Sequence, residues 1–460
     1  MNAVISPHAL SGTFRIPASK SHTIRRLLIA ALAPGPSIID YPLDSLDARS
    51  CVSVCRALGA EIEEFRAIDP SNPNPQDSSG KKLIRWTVKG IKNQSLQNSS
   101  TAKQCDVGNS GTTLYLALAV AALGSEPVSF DGDEQIRRRS AGPLLDALKG
   151  LGVKVESAAN GCAPISVQGP WKGGRVSLEC PTSQYLSALL LAAPLAVRGL
   201  ITEIDVPLLN ERPYIEMTLS YLDAQHIPYE TANDFSYFRV PGGAEWKPMN
   251  GPVPGDFSSA AFPACAAAIT GGPVTLLGLD PDDPQGDKAV FSHIEKMGAS
   301  VKWEKISAGG KDAEWKVTVS RSSPLRGGTF DLNATPDMLP AMAVTAAFAQ
   351  GDTALTNVAH ARIKETDRIA VMAAELSKLG VICTEKPDGL IIHGKGGTLH
   401  RDTDLTQTPL LDGHGDHRIV MALAVAGLGA RPLEIAGAEA ADVTYPGFLD
   451  LLQARGRGCS

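Results

Sequence analysis

The sequence contains no Cys-x-x-Cys pair, and its cysteines are scattered at Cys51, Cys55, Cys105, Cys162, Cys180, Cys265, Cys383 and Cys459. Only Cys51 and Cys55 are close, at a spacing that puts both on one helical face. The thiols are therefore expected to be buried and reduced, in a cytoplasmic protein. His414 and His417 have no third ligand at useful spacing, and no metal site is expected. Long hydrophobic runs are missing too: the apolar stretches end after about 10–14 residues, too short to span a bilayer. The N-terminus has no basic segment leading into a long apolar run, so no signal peptide is expected. An excess of positive charge is also absent. With 43 Lys and Arg against 49 Asp and Glu, the formal net charge is −6, which gives no basis for bulk binding to nucleic acid or an anionic membrane. What remains is an ordinary globular composition, 43% hydrophobic and 20% charged, in a 460-residue chain that is long for one core.

The chain is organised by repetition. Pro17-Ala18-Ser19-Lys20-Ser21-His22 is a short polar run that opens into an Ala/Leu-rich helix through Leu32 and stops near Pro34-Gly35. Ser19 or Ser21 can cap that helix, because a hydroxyl at the N-cap accepts from an early N–H. The unpaired N–H groups and the positive end of the dipole then face outward beside Lys20 and Arg25, which suits a phosphate or carboxylate. One such run alone is more simply a capped core helix. The same arrangement recurs, however. Asp106-Val107-Gly108-Asn109-Ser110-Gly111-Thr112-Thr113 opens into residues 114–123, and Pro181-Thr182-Ser183-Gln184 into 185–196. Gly255-Asp256-Phe257-Ser258-Ser259 opens into 260–269, Asn333-Ala334-Thr335-Pro336-Asp337 into 338–349, and Gly413-His414-Gly415-Asp416-His417-Arg418 into 419–428. A spacing of about 75–90 residues marks an internal repeat.

A second series runs in step with the first. Residues 47–58, 140–151, 214–225, 287–297 and 365–379 read as amphipathic helices that stop at Gly59, Gly152, His226, Gly298 and Gly380. Short β-branched strands follow. Residues 448–454 start a last copy that stops at Arg455-Gly456 with no strand after it. The unit is βαβαββ-like, present six times and trimmed at the C-terminus, which divides naturally into two domains of three units. Residues 1–16 read as a strand-like lead. Turn-rich connections within 67–104 flank a strand at 83–88 and read as surface elaboration. Residues 248–254 read as a joint, and 305–312 and 394–407 as lax loops.

The residues able to do chemistry sit at the helix mouths. Lys20, Ser21 and Arg25 belong to the first. Asn109, Ser110, Gly111 and Thr112 form a small-residue mouth that lets backbone approach a ligand. Thr182, Ser183 and Gln184 offer two hydroxyls and an amide, and Arg137, Arg138 and Arg139 form a basic cluster opening a second-series helix. Asp337 stands among apolar neighbours, while Lys364-Glu365-Thr366-Asp367-Arg368 and Asp416-His417-Arg418 mix cations with carboxylates. Each charge taken singly fits a solvated surface group. Their shared location fits a substrate with separate phosphate and carboxylate groups held by Lys and Arg, with a lone Asp and a Lys/Glu pair moving protons.

Six runs carry a family resemblance: Pro17-Ala18-Ser19-Lys20-Ser21, Gly108-Asn109-Ser110-Gly111-Thr112-Thr113, Thr182-Ser183-Gln184, Thr335-Pro336-Asp337, Lys364-Glu365-Thr366-Asp367-Arg368 and Asp416-His417-Arg418. In order and across nearly the whole chain they resemble the signature runs of the 5-enolpyruvylshikimate-3-phosphate synthases, a branch of the enolpyruvyl transferase family. The resemblance implies a two-domain inside-out α/β barrel of six βαβαββ repeats. One domain is 1–18 plus 254–460 and the other 19–253, with substrates in the cleft between them. It implies transfer of the enolpyruvyl group of phosphoenolpyruvate to the 5-hydroxyl of shikimate 3-phosphate, in aromatic amino acid biosynthesis. C3 gains a proton in the addition, and the tetrahedral adduct then loses phosphate. A cytoplasmic monomer with no metal, organic cofactor, nucleic acid or membrane partner is expected.

Carried over by match, Lys20 touches both substrates and helps proton transfer. Ser21, Arg25, Thr182, Ser183 and Lys364 hold shikimate 3-phosphate, and Gln184 contacts both ligands. Asp337 is the base toward the 5-hydroxyl and also binds the acceptor. Glu365 assists protonation of the methylene carbon. Gly111, Arg139, Arg368 and Arg418 bind phosphoenolpyruvate. Four positions depart from the family pattern: Tyr115 and Val443 replace an Arg and a Lys near phosphoenolpyruvate, Glu211 replaces a Ser that meets the acceptor phosphate, and His360 replaces an Asn. Arg212 is a candidate to compensate Glu211, and Arg137 or Arg138 to replace a missing cation. The departures motivate two alternatives, a transferase retuned to another acceptor alcohol and a non-catalytic phosphate-binding homologue. Retention of Lys20, Asp337 and Glu365 together argues against the second. The sister enzyme that acts on UDP-N-acetylglucosamine uses a Cys in the loop corresponding to 133–142, and that loop has none here.

Overall fold

A computed structural model describes residues 1–91, 103–306, 314–397 and 408–453. The tract 93–100, most of the loops at 305–312 and 394–407, Cys459 and the stop at Arg455-Gly456 lie outside these residues.

Short-range capping sets the helix starts. Ser110 accepts from the Thr113 N–H, so the second first-series helix winds from Gly111 to Ala121 and takes in part of its mouth. Asp256 caps Phe257–Thr270, and Asp416 caps His417–Gly429. The first helix runs Lys20–Leu32, which leaves Ser19 in the N-cap position and Ser21 inside. The third is shorter than the sequence suggests: Gln184–Ala192 gives way to a 3-10 turn, Ala193–Leu195, because Pro194 cannot continue an α-helix. Leu339–Ala347 follows a similar turn at Pro336–Met338.

The second series comprises Leu46–Leu58, Gly142–Gly150, Arg212–Ala224, Ala289–Lys296 and Arg368–Ser377, with Phe448–Gln453 as the last copy. The first five end on left-handed backbone, with φ of 113° at Gly59, 88° at Gly152, 57° at His226, 110° at Gly298 and 76° at Gly380. Glycine suits such stops, since it carries no Cβ; the third repeat makes the same turn with a histidine.

The strands form six sheets with one recurring pattern. An edge strand pairs parallel to a second strand, and two antiparallel strands follow, as in Lys103–Asp106, Val128–Asp131, Ile165–Gln168 and Lys154–Ser157. Four of the parallel pairs are joined directly through a buried helix, as Lys103–Asp106 and Val128–Asp131 are through Gly111–Ala121, so the repeat is βαβαββ. Three sheets are completed from far along the chain, one of them by Gly12–Arg15 lying parallel to Val274–Leu277. Asn250–Pro252 supplies the edge strand beside Pro36–Asp40, and Asn2–Ile5 pairs antiparallel with Leu433–Ala436 in the three-stranded last sheet. The N-terminal lead is thus two strands, Asn2–Ile5 and Gly12–Arg15, in different sheets. The strand expected at 83–88 runs Lys82–Lys89 and buries Trp86 and Val88 inside its sheet.

The chain divides into two compact units: Met1–Ser19, Pro70–Pro75 and Pro254–Ser460 in unit 1, and Lys20–Asp69 with Gln76–Val253 in unit 2. In unit 1, Phe257–Thr270, Leu339–Ala347 and His417–Gly429 pack against one another at the centre with nearly every residue buried. In unit 2, Gly111–Ala121 and Gln184–Ala192 do the same, and Lys20–Leu32 packs beside them with nine of its thirteen residues buried. Helices apolar on all sides belong in a core, and Ala-rich surfaces let them approach closely. Within each unit the amphipathic helices and sheets pack around these core helices. Of the described cysteines, Cys162 and Cys383 are only partly buried. No helix among the described residues is long and apolar enough to cross a membrane.

Candidate active site

In unit 2 the Lys20–Leu32 helix carries Lys20, Ser21 and Arg25. Lys20 Nζ lies 3.0 Å from Asp47 Oδ2, a carboxylate in the first turn of Leu46–Leu58. Arg25 is buried and joins three helices: Nε donates to Thr218 Oγ1 at 2.9 Å, Nη2 to Ser187 Oγ at 3.1 Å, and Nη1 to the Ser21 carbonyl at 3.2 Å. Burial pushes its guanidinium down to about 10, with the fields of Tyr221, Tyr214 and Glu211 acting the other way.

Gly111 begins its helix where a side chain would crowd Arg139. A Cβ there would meet Arg139 Nη1 at 3.0 Å and Gln184 Oε1 at 3.9 Å. Gln184 Nε2 donates to Thr112 Oγ1 at 3.3 Å, and Arg139 Nη2 to Asn109 Oδ1 at 3.2 Å. Gly111, Arg139 and Gln184 therefore form one cluster. The neighbouring arginines turn elsewhere: Arg137 pairs with Asp131 at 2.6 Å and Arg138 with Glu134 at 3.0 Å, both exposed. The basic run separates into three directions. Tyr115 packs edge-on against Tyr185, ring centroids 5.0 Å apart, so the position lacking the family's Arg is filled by an aromatic pair.

Thr182 and Ser183 do not stand open. Glu211 Oε2 accepts from Thr182 Oγ1 at 3.1 Å, from the Ser183 N–H at 3.0 Å and from Ser183 Oγ at 2.8 Å. Glu211 is buried and left-handed, with φ of 60°. Arg212, next in sequence, pairs with Glu216 at 3.1 Å and lies over the Phe235 ring.

In unit 1 the cluster is denser. The fully buried Arg368 donates from Nη1 to Asp337 Oδ1 at 2.7 Å, from Nη2 to Glu365 Oε2 at 2.7 Å, and from Nε to Asp416 Oδ2 at 2.8 Å. Arg418 Nη2 reaches the other Asp337 oxygen at 2.8 Å. Asp337, solitary in the sequence, is thus gripped by two guanidinium groups. Burial pushes its carboxyl up, but Arg418, Arg368 and Lys364 outweigh that and hold it well below the usual carboxylate range. Burial likewise works against the charged forms of Arg368 and Asp416. Their mutual attraction prevails, so the guanidinium is held well above its ordinary value and the carboxyl below its own. The array can bind anions through Arg368, Arg418 and Lys364, and it keeps carboxylates beside them to move protons. His360 is buried with Nε2 3.1 Å from the Asn333 carbonyl.

The structure adds a residue that sequence reasoning passed over. Asp287 is buried and accepts from Ser258 Oγ at the mouth of Phe257–Thr270. Burial and the Asp337 charge push its carboxyl up to about 7, against the pull of Arg418 and the Ser258 bond. A signal existed in the repeat register. In three repeats a carboxylate at the start of the second-series helix reaches the mouth of the first-series helix: Asp47 to Lys20, Glu211 to Thr182 and Ser183, Asp287 to Ser258.

Comparison with known proteins agrees with the fold and the residue pattern. The model of the EPSP synthase (3-phosphoshikimate 1-carboxyvinyltransferase) family matches residues 4–452. A 3-phosphoshikimate 1-carboxyvinyltransferase of Acetivibrio thermocellus is 46% identical over 98% of this chain and 97% of its own length. One from Halobacterium salinarum is 39% identical over 99% of each. Among solved structures, EPSP synthase from Acinetobacter baumannii superposes with a TM-score of 0.76 at 27% identity, over 98% of both chains. The enolpyruvyl transferase NikO from Streptomyces tendae gives 0.71 at 18% identity over 98% of this chain and 96% of its own, a likeness of fold alone. The six βαβαββ repeats are those of the two-domain inside-out enolpyruvyl transferase fold, and this chain, an enzyme, belongs to the EPSP synthase family.

Proposed function

We propose that this chain transfers the enolpyruvyl group of phosphoenolpyruvate to the 5-hydroxyl of shikimate 3-phosphate, releasing phosphate. It acts as a cytoplasmic monomer without metal, organic cofactor, nucleic acid or membrane partner, and its two domains correspond to residues 1–18 with 254–460 and 19–253. The observation that carries the reading is Asp337 and Glu365 held on one buried guanidinium, with Arg418 closing on Asp337 from the other side. Cations alone would suffice for a protein that only binds anions. Paired carboxylates within the cation cluster suit a reaction that removes a proton from a hydroxyl and delivers one to carbon.

Residue roles follow from that chemistry. Arg368 and Arg418, with Arg139 at the Gly111 mouth, bind phosphoenolpyruvate. Ser21, Arg25, Thr182, Ser183 and Lys364 hold the acceptor phosphate and hydroxyls, and Gln184 contacts both substrates. Asp337 takes the 5-hydroxyl proton as oxygen attacks C2. Lys20 and Glu365 supply the proton that C3 gains, and the adduct then expels phosphate. A second reading, an acceptor alcohol with no phosphate at this position, is favoured by the Glu211 carboxylate at Thr182 and Ser183.

The test is phosphate release from phosphoenolpyruvate across a panel of acceptor alcohols. The proposal expects release with shikimate 3-phosphate and none without it. Release with another alcohol only would establish the second reading. Binding without turnover for every acceptor would leave a scaffold that has lost its chemistry.

A further inference from the structure

Three donors converge on a single oxygen at the start of Gln184–Ala192: two hydroxyls and a backbone N–H, all within 3.1 Å of Glu211 Oε2. Such convergence at a helix N-terminus suits an oxyanion, because the donors are fixed by the fold and the dipole favours negative charge. The occupant is a side chain of the chain itself. Glu211 is aimed there by left-handed backbone, φ 60° and ψ 40°, a conformation costly for a residue with a Cβ and sustained only where the surroundings enforce it. The buried Arg25 lies within the field of Glu211, after those of Tyr221 and Tyr214, so the cradle sits in an interior that favours negative charge.

We propose that Glu211 is a specificity-determining residue, an internal competitor that occupies the Thr182-Ser183 cradle until the phosphate of the acceptor displaces it. This rests on the reading that the cradle receives that phosphate. The exchange is of like for like. As the carboxylate swings out, a phosphate oxygen takes its three hydrogen bonds and the Arg25 field acts on the incoming dianion. An anion replaces an anion, so the three donors keep a charged acceptor throughout, whereas an empty cradle would leave them buried without one. The consequence is selectivity. A bare anion such as inorganic phosphate must displace a tethered rival at high effective concentration with no other contacts to help it. An acceptor whose ring is also held can do so.

The experiment compares Glu211→Gln and Glu211→Ser with the parent enzyme. Glutamine keeps the size and an acceptor oxygen but removes the charge; serine empties the cradle. Removing the competing charge is expected to lower the acceptor KM by about tenfold or more with the phosphoenolpyruvate KM unchanged. Inorganic phosphate is expected to become an inhibitor competitive with the acceptor. It should also raise the Tm of the Gln variant more than that of the parent, a readout available even if the variants are less stable. An unchanged or raised acceptor KM in both variants, with no gain in phosphate response, would overturn the inference and leave Glu211 as a helix cap. Thr182→Ala separates this from the reading beneath it. If Thr182→Ala leaves acceptor KM unchanged, the cradle does not hold the acceptor phosphate and both proposals fall. If it raises acceptor KM while the Glu211 variants show no tightening, only the competitor fails.

Discussion

Arg368 Nη1 donates to Asp337 Oδ1 at 2.7 Å, which ties the proposed base to a proposed substrate-binding cation. A carboxylate held this far below its ordinary range is a weak base. In the proposed reaction the phosphate and carboxylate of phosphoenolpyruvate would draw on the same guanidinium groups, and sharing them would weaken the grip on Asp337. Proton abstraction would thereby be coupled to occupancy of the donor site.

Asp337→Ala is expected to lower kcat by ~10²–10⁴ with the native circular dichroism retained, although Tm should fall because Arg418 and Arg368, both buried, lose a partner. Full activity in this variant would sink the assignment of the base.

Arg368 and Arg418 are expected to separate on stability. Arg368→Ala leaves Asp416 buried without its main counterion and should cost about 3–5 kcal/mol in denaturant unfolding. Arg418→Ala leaves that pair in place, so its main effect is expected on phosphoenolpyruvate KM, raised about ten- to a hundredfold. Equal loss of stability in both variants would mean that the burial of Arg368 is not what matters.

Asp287 gives a pH signature. A carboxyl whose pKa is raised to about 7 by burial and by Asp337 binds its proton more tightly in the folded chain than in the unfolded one. It therefore costs stability as pH rises from about 4 to about 7, and no further cost accrues above that. Asp287→Asn removes the titration but keeps an acceptor for Ser258. Its stability relative to the parent is expected to climb between pH 5 and pH 8 and then level, by on the order of 3 kcal/mol, in urea titrations at each pH. A difference independent of pH would show that Asp287 is not protonated in the native chain near neutrality. Asp337 and Asp416 act in the opposite sense: their folded-state pKa values are lowered, so the stability they contribute is lost as pH falls below about 4.

His226 occupies a left-handed stop that the other full second-series helices give to glycine. His226→Gly is expected to raise stability by about 0.5–1 kcal/mol, read as a higher denaturant midpoint, because relief of the Cβ penalty outweighs the extra freedom of the unfolded chain. A lower midpoint would show that the imidazole makes a contact worth more than the strain.

Local features were the legible ones. Ser110, Asp256 and Asp416 cap helices within three residues of themselves, and His226 ends a helix from its place in the repeat, so mouths and stops could be read along the chain. The repeat itself followed from their spacing. Distant partnerships were not legible. Nothing local tells Asn250–Pro252 to lie beside Pro36–Asp40, or Asn2–Ile5 beside Leu433–Ala436. For the same reason Arg25 read as a cation at an open mouth, though it is buried and already donates to helices 162 and 193 residues further along the chain. Arg137 and Arg138, adjacent to Arg139 in sequence, end on different carboxylates because a 3-10 turn at Ile136–Arg138 fans them apart. Asp287 was missed because its meaning lies in Ser258 and Asp337, which only the fold brings near.

The Ser19 N–H donates to the Pro254 carbonyl at 2.8 Å, and Ala18 forms a bridge with Gly255. Of the 234 residues between Ser19 and Pro254, all but Pro70–Pro75 belong to unit 2, and the segment leaves and re-enters unit 1 at this one pairing. A splice of one or two glycines there would rejoin the unit 1 backbone without stretching it, at the loss of Pro70–Pro75, and the excised piece would carry its own closing strand, Asn250–Pro252, with it. An ancestral insertion of one three-repeat cassette into a loop of another would leave this kind of seam.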